Sequence, residues 1–237
     1  PTKKSTFYEE VYLCLYKHHD LSKDGFRRQK RSNLDIQDFR IILRYIAFDS
    51  AKAGRLTFSD VELAELIRKS KEKSLITYFK EADYIDDLLN TVPIFQKDGT
   101  KSKWAHKSIQ DYFAAEYIVF HSKKDDIMNK IFQSQKDAYL NIIDVVEELD
   151  LKLYRRTILR PVLLAFVEHC KSTYNGFKSM NHQYIEERQS ATFGTDVYIF
   201  IAKKQTSFME VADRMEKEVE KLHQPGQVNW SITANEI

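Results

Sequence analysis

The chain has 237 residues, and its 37 Lys and Arg against 35 Asp and Glu give a formal net charge of +2. This small charge provides no general attraction to nucleic acid or to an acidic membrane surface. Hydrophobic residues make up 43 % of the chain, including 13 Tyr and 15 Phe, which indicates a folded core and excludes a disordered chain. No apolar run approaches the roughly 18–20 residues that span a bilayer, and the chain does not start with a signal-peptide pattern.

Other features of the composition bear on location and completeness. Cys14 and Cys170 lie far apart in apolar helical patterns, so we expect reduced core cysteines in a cytoplasmic protein and no structural disulfide. The 6 Gly and 4 Pro are few, which favours long helices. The chain begins at Pro1 without an initiator methionine, so we expect it to be a piece of a longer protein.

An amphipathic helix is predicted over residues 7–17, where large apolar side chains recur at helical spacing. Residues 20–31 (DLSKDGFRRQKR) then imitate the first half of a calcium-binding loop. The twelfth position requires a bidentate Glu and is Arg31 here, so we predict a helix stop and no calcium. The basic cluster of this stretch is either a solvated face or a site for an anion or an acidic partner; it comprises Lys23, Arg27, Arg28, Lys30 and Arg31.

Further helices and a hairpin are predicted before residue 106. One helix carries apolar residues over 39–47, with a cap at residues 32–33. The next starts at Ser59, has Glu62 as its capping-box partner and extends to about residue 68. A short helix over 84–89 precedes two strands, 92–96 and 101–105, which Asp98-Gly99 joins as a turn. Helices followed by such a two-stranded wing predict a winged-helix unit.

Residues 104–118 (WAHKSIQDYFAAEYI) read as a strand that turns directly into a helix. We predict Ser108 as the N-cap and Asp111 as an acid of the first turn. One side of this helix carries residues that, except for one acid, are apolar or aromatic, so we expect that side to be buried: Ile109, Tyr112, Phe113, Glu116, Tyr117 and Phe120. His106 then lies just ahead of a helix N-terminus, at the mouth of the hairpin.

The acidic charge of the helix before the wing argues against DNA binding. In DNA-binding winged helices that helix enters the major groove, but residues 80–90 contain Glu81, Asp83, Asp86 and Asp87 against a single Lys. A net acidic helix is repelled by phosphate, and the lysines of the wing do not reverse this. We therefore do not expect a nucleic-acid partner.

The second half of the chain is predicted to be helical up to about residue 178 and α/β beyond it. Apolar periodicity marks helices over 127–132, 142–149 and 153–170, the last broken or kinked at Pro161. Residues 196–202 form a continuous apolar run typical of a buried strand, a helix follows from Ser207, and residues 228–232 alternate as a half-buried strand. This order predicts a small βαβ element whose strands are parallel if adjacent.

Catalytic and metal-binding motifs are absent from the sequence. There is no phosphate loop, no GxGxxG, no GxSxG, no HExxH and no pair of CxxC motifs, and the seven His and two Cys show no metal-ligand spacing. We therefore expect no enzyme, no metal site and no cofactor in this chain by itself.

Residues 104–115 (WAHKSIQDYFAA) resemble the F-x-H-x-S-F-Q-E-Y-F-A-A element of NACHT-type STAND NTPases. Residues 7–11 (FYEEV) are similar to the helix that follows the ATPase core in that family, and residues 20–28 and 92–99 are similar to bacterial members. The resemblance covers roughly residues 7–120, about half of the chain. Trp104, Ile109 and Asp111 depart from the pattern but keep the physical type of the family residue.

The resemblance implies a fold and a role for each part of the chain. Residues 1–121 are expected to be the winged-helix domain behind the ATPase core, 122–178 a helical extension and 179–237 a small C-terminal α/β element, in a mainly α fold. His106 is expected to contact the phosphates of a nucleotide in the intact protein, where ATP or ADP binds with Mg²⁺. The alternative for His106 is a hydrogen-bonded structural histidine.

The function that follows is an expectation of the same kind. The chain would be the regulatory region of a bacterial NACHT protein, a switch that docks on the ATPase core. It would respond to an unknown trigger ligand and let subunits form a homo-oligomer, and defence against phage is the expected setting. The rival is a free-standing helical binding module that uses the basic residues 23–31 and the wing lysines on an acidic protein or a nucleic acid.

Overall fold

A computed structural model describes residues 3–18, 30–134, 137–161, 163–164, 197–200 and 230–233. The chain forms two compact units, Pro1–Ile127 with Ala138–Tyr154, and Met128–Asp137 with Arg155–Ile237. In the described part the fold is mainly helical with a small three-stranded antiparallel sheet. The helices are α1 (Lys4–His18), α2 (Ile36–Lys52), α3 (Asp60–Ser74), α4 (Glu81–Asp86), α5 (Lys107–Phe120), α6 (Lys124–Ser134), α7 (Leu140–Leu149) and α8 (Leu151–Tyr154).

The sheet of the first unit is built around its last strand. Strands β1 (Thr57–Ser59), β2 (Phe95–Asp98) and β3 (Lys101–Trp104) lie in the order β1-β3-β2. Phe95 pairs with Trp104 and Asp98 with Lys101, so Gly99 and Thr100 form the turn, with Gly99 at φ +60. The hairpin predicted at Asp98-Gly99 is confirmed, and Thr57 to Ser59 add a strand that the sequence pattern did not indicate.

Helix α2 does not begin at the cap predicted at residues 32–33. The Asp35 carboxylate accepts hydrogen bonds from the N–H groups of Gln37 and Asp38, at 2.7 and 2.9 Å. Ser32 is instead buried and donates its N–H and its hydroxyl to Asp87, at 2.9 and 2.6 Å. The prediction fails because Ser32 is engaged by a residue 55 positions away, which local spacing does not reveal.

Helix α3 confirms the predicted capping box. The Ser59 hydroxyl accepts from the Glu62 N–H at 3.3 Å, and the Ser59 N–H donates to the Glu62 carboxylate at 2.8 Å. This N–H bond, together with Arg55, lowers the pKa of Glu62 to about 2. The helix extends to Ser74, beyond the predicted residue 68, and Leu75 ends it at φ +62.

The largest buried side chains of the first unit come from helices α1 to α5 and from strand β2. The largest side chains with less than 2 % exposure are aromatic and aliphatic, and they are Tyr12, Phe39, Ile42, Leu43, Ile46, Leu63, Ile67, Tyr84, Phe95, Tyr112 and Phe113. Two predictions of burial are wrong. Cys14 is exposed and free, because it lies on the outer face of α1, and Phe120 is 66 % exposed beneath the Arg44 guanidinium.

The second unit is described in parts. Met128 and Ile131 of α6 are buried, and a π-helical turn spans Arg155–Leu159. Only Arg160 separates this turn from Pro161, which has no N–H for an α-helical bond to the Thr157 carbonyl. Strands β4 (Val197–Phe200) and β5 (Trp230–Thr233) pair in parallel, as predicted for adjacent strands of a βαβ element. The helix predicted to start at Ser207 lies outside the described residues, and so does Cys170.

We predict that Ser59→Ala lowers the free energy of unfolding by about 1 kcal/mol, because the Glu62 N–H loses its cap. Urea unfolding of the 237-residue chain measures this. Ser122→Ala, at an exposed turn position, is the control and should change little. Because the pKa of Glu62 is depressed, its contribution is complete above pH 4.5 and is lost as the pH falls towards about 2. Equal stability of the two variants contradicts the prediction.

Candidate functional site

His106 is the residue from which helix α5 starts. Ala105 donates its N–H to the Ile94 carbonyl at 2.8 Å, and the His106 carbonyl accepts from the Ile109 N–H at 3.2 Å. His106 itself has extended backbone angles, so it occupies the N-cap position. Its side chain makes no capping hydrogen bond and is exposed. The prediction of Ser108 as N-cap is wrong by two positions, because the chain enters the helix directly after leaving the sheet.

Asp111 is not an N-terminal capping acid of α5. Its side chain is 2 % exposed and accepts hydrogen bonds from the Lys107 ammonium at 2.8 and 3.1 Å. The Asn141 amide of α7 lies 3.4 Å from the same carboxylate. Asp111 therefore neutralises the lysine next to His106 and connects α5 to α7.

The start of α5 can attract an anion. The first N–H groups of any α-helix have no partner within the helix, and the helix dipole places partial positive charge there. The exposed imidazole of His106 adds a hydrogen-bond donor at this end. The geometry suits a phosphate or carboxylate that another domain or ligand presents. It does not supply a nucleophile or a general base with an orienting partner.

The buried side of α5 contains a charged cluster that the sequence analysis did not foresee. Glu116 is 2 % exposed and accepts bonds from Arg40 Nε at 2.9 Å, from Arg40 Nη2, and from Arg44 Nε at 3.0 Å. The Tyr112 hydroxyl donates to Glu116 at 3.0 Å and lies 2.9 Å from Arg40 Nη2. At the edge of the cluster, Arg40 Nη1 reaches Glu9 of α1 at 3.3 Å.

The pKa values within this cluster follow from burial and pairing. Burial opposes the charge on Arg40, but the hydrogen bonds that it donates to Glu116 keep its pKa above the ordinary value. Burial raises the pKa of Tyr112, and the charge of Glu116 adds to that effect. The arginine is therefore charged and the phenol is neutral at any physiological pH. A signal was present in the sequence, since Arg40 and Arg44 are the only basic residues of an apolar helical run and share one face at i, i+4 spacing.

Aromatic side chains connect α1 to the same cluster. The Tyr12 and Phe113 rings meet edge to face at 5.3 Å, and the Tyr8 and Tyr112 rings lie 5.7 Å apart. On the same helix, the buried Gln110 side-chain amide donates to the Ser50 hydroxyl and to the Arg55 carbonyl, both at 2.8 Å. Helix α5 is thus held along its length by α1, by α2 and by the segment that leads into β1.

Most of the basic residues of the rival binding module that the structure describes are engaged within the chain. Lys97 pairs with Asp60 at 2.7 Å, and Lys103 pairs with Asp98 at 3.1 Å. Arg31 pairs with Asp86 at 3.2 Å, and Lys30 lies over the Tyr16 ring at 3.9 Å. Lys23, Arg27 and Arg28 lie outside the described residues. Lys101 of β3 is exposed and makes no ion pair among the described residues, so the described part of this module leaves a single lysine open to a partner and not a broad basic surface.

The described residues contain neither a metal-ligand cluster nor a helix that could span a membrane. They contain no group of three or more His, Cys, Asp or Glu that could hold a metal ion. Within the same residues, every helix is too short or too polar to pass through a bilayer. Residues 20–31, which imitate half of a calcium-binding loop and were predicted to stop a helix without binding calcium, lie almost entirely outside the described part of the chain.

Comparison with known families adds information from the C-terminal half. Residues 149–227 match the model of a short NACHT-associated C-terminal domain, family 5. The matched stretch begins at the last residue of α7 and includes β4. No curated protein and no solved structure matches the chain.

We predict that Glu116→Ala lowers the free energy of unfolding by about 3 kcal/mol, because removing the acid leaves buried Arg40 and partly buried Arg44 without their shared partner. Chemical unfolding followed by circular dichroism gives the value. The matched control is Glu65→Ala, which removes an acid that pairs with Arg68 on the exposed surface of α3 and should have a much smaller effect. Similar losses in both variants would show that the Glu116 cluster contributes no more than a surface pair.

Proposed function

We propose that this chain, which carries a NACHT-associated C-terminal region, is the regulatory part of a NACHT protein, placed behind its ATPase core. The observation that carries the proposal is the match of residues 149–227, a stretch different from the residues 7–120 on which the resemblance to NACHT-type NTPases rests. Two separate parts of one chain therefore point to the same class of protein. The chain itself performs no catalysis in this proposal.

The order of elements in the first unit supports a winged helix. Helix α2, strand β1, helices α3 and α4, and the hairpin β2-β3 follow each other as helix, strand, two helices and a wing. Helix α4 and its π-helical extension, Asp87–Thr91, carry the acidic residues, so this winged helix is proposed to bind protein and not a DNA groove. Its intramolecular partner is the ATPase core.

His106 is proposed to sense the nucleotide of that core. An exposed imidazole without a capping bond, beside the positive end of α5, fits a phosphate group of ADP or ATP. The nucleotide, with Mg²⁺, would supply the charge that this end of the helix attracts. Because α5 is fixed by Glu116 and Gln110, a contact at His106 would bear on the whole first unit and not on a loose loop.

The proposed mechanism is a shift between two populations. Docking through His106 favours a closed protein, and a trigger that binds the C-terminal region favours release of the winged helix and assembly of a homo-oligomer. Defence against phage in the bacterial cytoplasm is the setting that we propose. The trigger must bind the open state more tightly than the closed state, since a ligand with equal affinity for both shifts nothing.

We predict that His106→Ala in the intact protein weakens retention of ADP and raises basal activity, with little change in stability, because the imidazole is exposed. Bound nucleotide is measured by chromatography after denaturation, and activity by nucleotide turnover. The control is His121→Ala, a histidine at the opposite end of the same helix.

The outcomes separate the proposal from its rival. Unchanged nucleotide occupancy and activity in His106→Ala would contradict the phosphate contact. A salt-dependent shift of the 237-residue chain with duplex DNA would favour the free-standing binding module.

A further inference from the structure

Helix α1 begins without a helix cap of its own. Its first turn contains no acidic residue, and Lys3 and Lys4 place positive charge at the positive end of the helix dipole. Lys3 occupies the N-cap position, because its carbonyl accepts from the Phe7 N–H at 3.1 Å. Its side chain has no oxygen that could accept from the free N–H groups. Local sequence therefore disfavours a helix start at this point.

A carboxylate from α7 supplies the missing cap. Glu148 accepts from the Ser5 N–H at 2.7 Å and from the Lys4 N–H at 3.3 Å, across 143 and 144 residues of chain. One turn earlier on α7, Asp144 accepts from the Lys4 ammonium at 3.2 Å. Burial opposes the charge of Glu148, but the hydrogen bonds from Ser5 and Lys4 hold its pKa below the ordinary value.

The two acids differ in what they can contribute. The Lys4–Asp144 pair is more than half exposed on both sides, so solvent and salt weaken it. Glu148 satisfies two backbone donors that have no other partner in a helix and compensates the helix dipole. Of these two acids, Glu148 is the one that allows α1 to start where it does.

The position of Glu148 in the sequence links this cap to the C-terminal domain. It is the residue before Leu149, where the match to the NACHT-associated C-terminal domain begins. The same helix is fixed on its other side, because Ile142 and Val146 are buried and Asn141 reaches Asp111 of α5. The start of α1 is thereby attached to the helix that leads into the C-terminal domain.

We infer that Glu148 is a conformational coupling device: the first turn of α1 is ordered only while α7 holds its carboxylate in place. A displacement of α7 removes the cap and frays the first turn, and fraying of that turn removes the bonds that hold Glu148. The inference does not depend on the proposed nucleotide switch, since it concerns two helices of this chain.

The experiment is amide hydrogen exchange on the 237-residue chain and its Glu148→Ala variant, since glutamine at this position would keep an oxygen that accepts from the helix N–H groups. Exchange in residues 4–11 should become about fivefold faster, the effect of losing one helix cap, while residues 36–50 of α2 keep their protection. Asp144→Ala is the matched control, because it removes a neighbouring acid of α7 without removing the cap, and it should change exchange less than twofold.

A rescue variant distinguishes capping from general damage. Lys3→Asp places an acceptor at the N-cap position of α1, so the Lys3→Asp/Glu148→Ala double variant should regain the protection of the original chain. Unchanged exchange in Glu148→Ala overturns the inference. So does faster exchange that extends to α2 or that Lys3→Asp fails to reverse.

Discussion

The carboxylate of Glu116 is the constraint on which the first unit depends. A buried acid requires positive partners, and both of its partners, Arg40 and Arg44, come from α2. This requirement fixes the distance and rotation of α5 against α2 more narrowly than apolar contact does, since apolar side chains tolerate small shifts. Arg40 extends the same requirement to α1 through Glu9 and the Tyr12 ring. Three helices thus share one electrostatic centre.

The position of His106 depends on this packing of α5 against α1 and α2. His106 stands at the start of a helix whose later turns are fixed by Gln110, Asp111 and Glu116. Its own side chain is the least engaged part of that helix start. Because the His106 side chain is exposed while its backbone is held in place, a contact at the imidazole can be transmitted to the rest of the first unit. Glu148 also connects distant parts of the chain through a hydrogen bond, because its carboxylate accepts from the Ser5 N–H in the first turn of α1.

The sequence predicted the features that local interactions decide. The Ser59–Glu62 box and the hairpin turn at Gly99 each follow from spacing over a few residues. The parallel pairing of β4 with β5 follows instead from the order strand, helix, strand, which predicted it for adjacent strands. The cap of α2 is local, since Asp35 accepts from the N–H groups of Gln37 and Asp38, and the prediction at residues 32–33 missed it. The cap of α5 could not be predicted, because the bond of Ala105 to Ile94 sets the start of that helix.

The candidate site was predictable in position but not in detail. His106 was expected at the mouth of the hairpin, and its role towards a nucleotide stays a prediction. The charged cluster was missed because Glu116 was counted with the apolar face and its partners lie on another helix. Exposed Cys14 and Phe120 show the same limit, since periodicity finds the apolar stripe of a helix but not its edges.

The central helix of the first unit is also one of its last to be synthesised. Arg40 and Glu116 are 76 residues apart, so a ribosome that adds about 5–20 residues per second makes the acid roughly 4–15 s after the arginine. During this interval α1 and α2 have no α5 to cover them, and Arg40 has no partner that would permit burial. The core of the first unit therefore cannot form completely until α5 has been synthesised. Its apolar faces stay open to water and to other chains until α5 has left the ribosome.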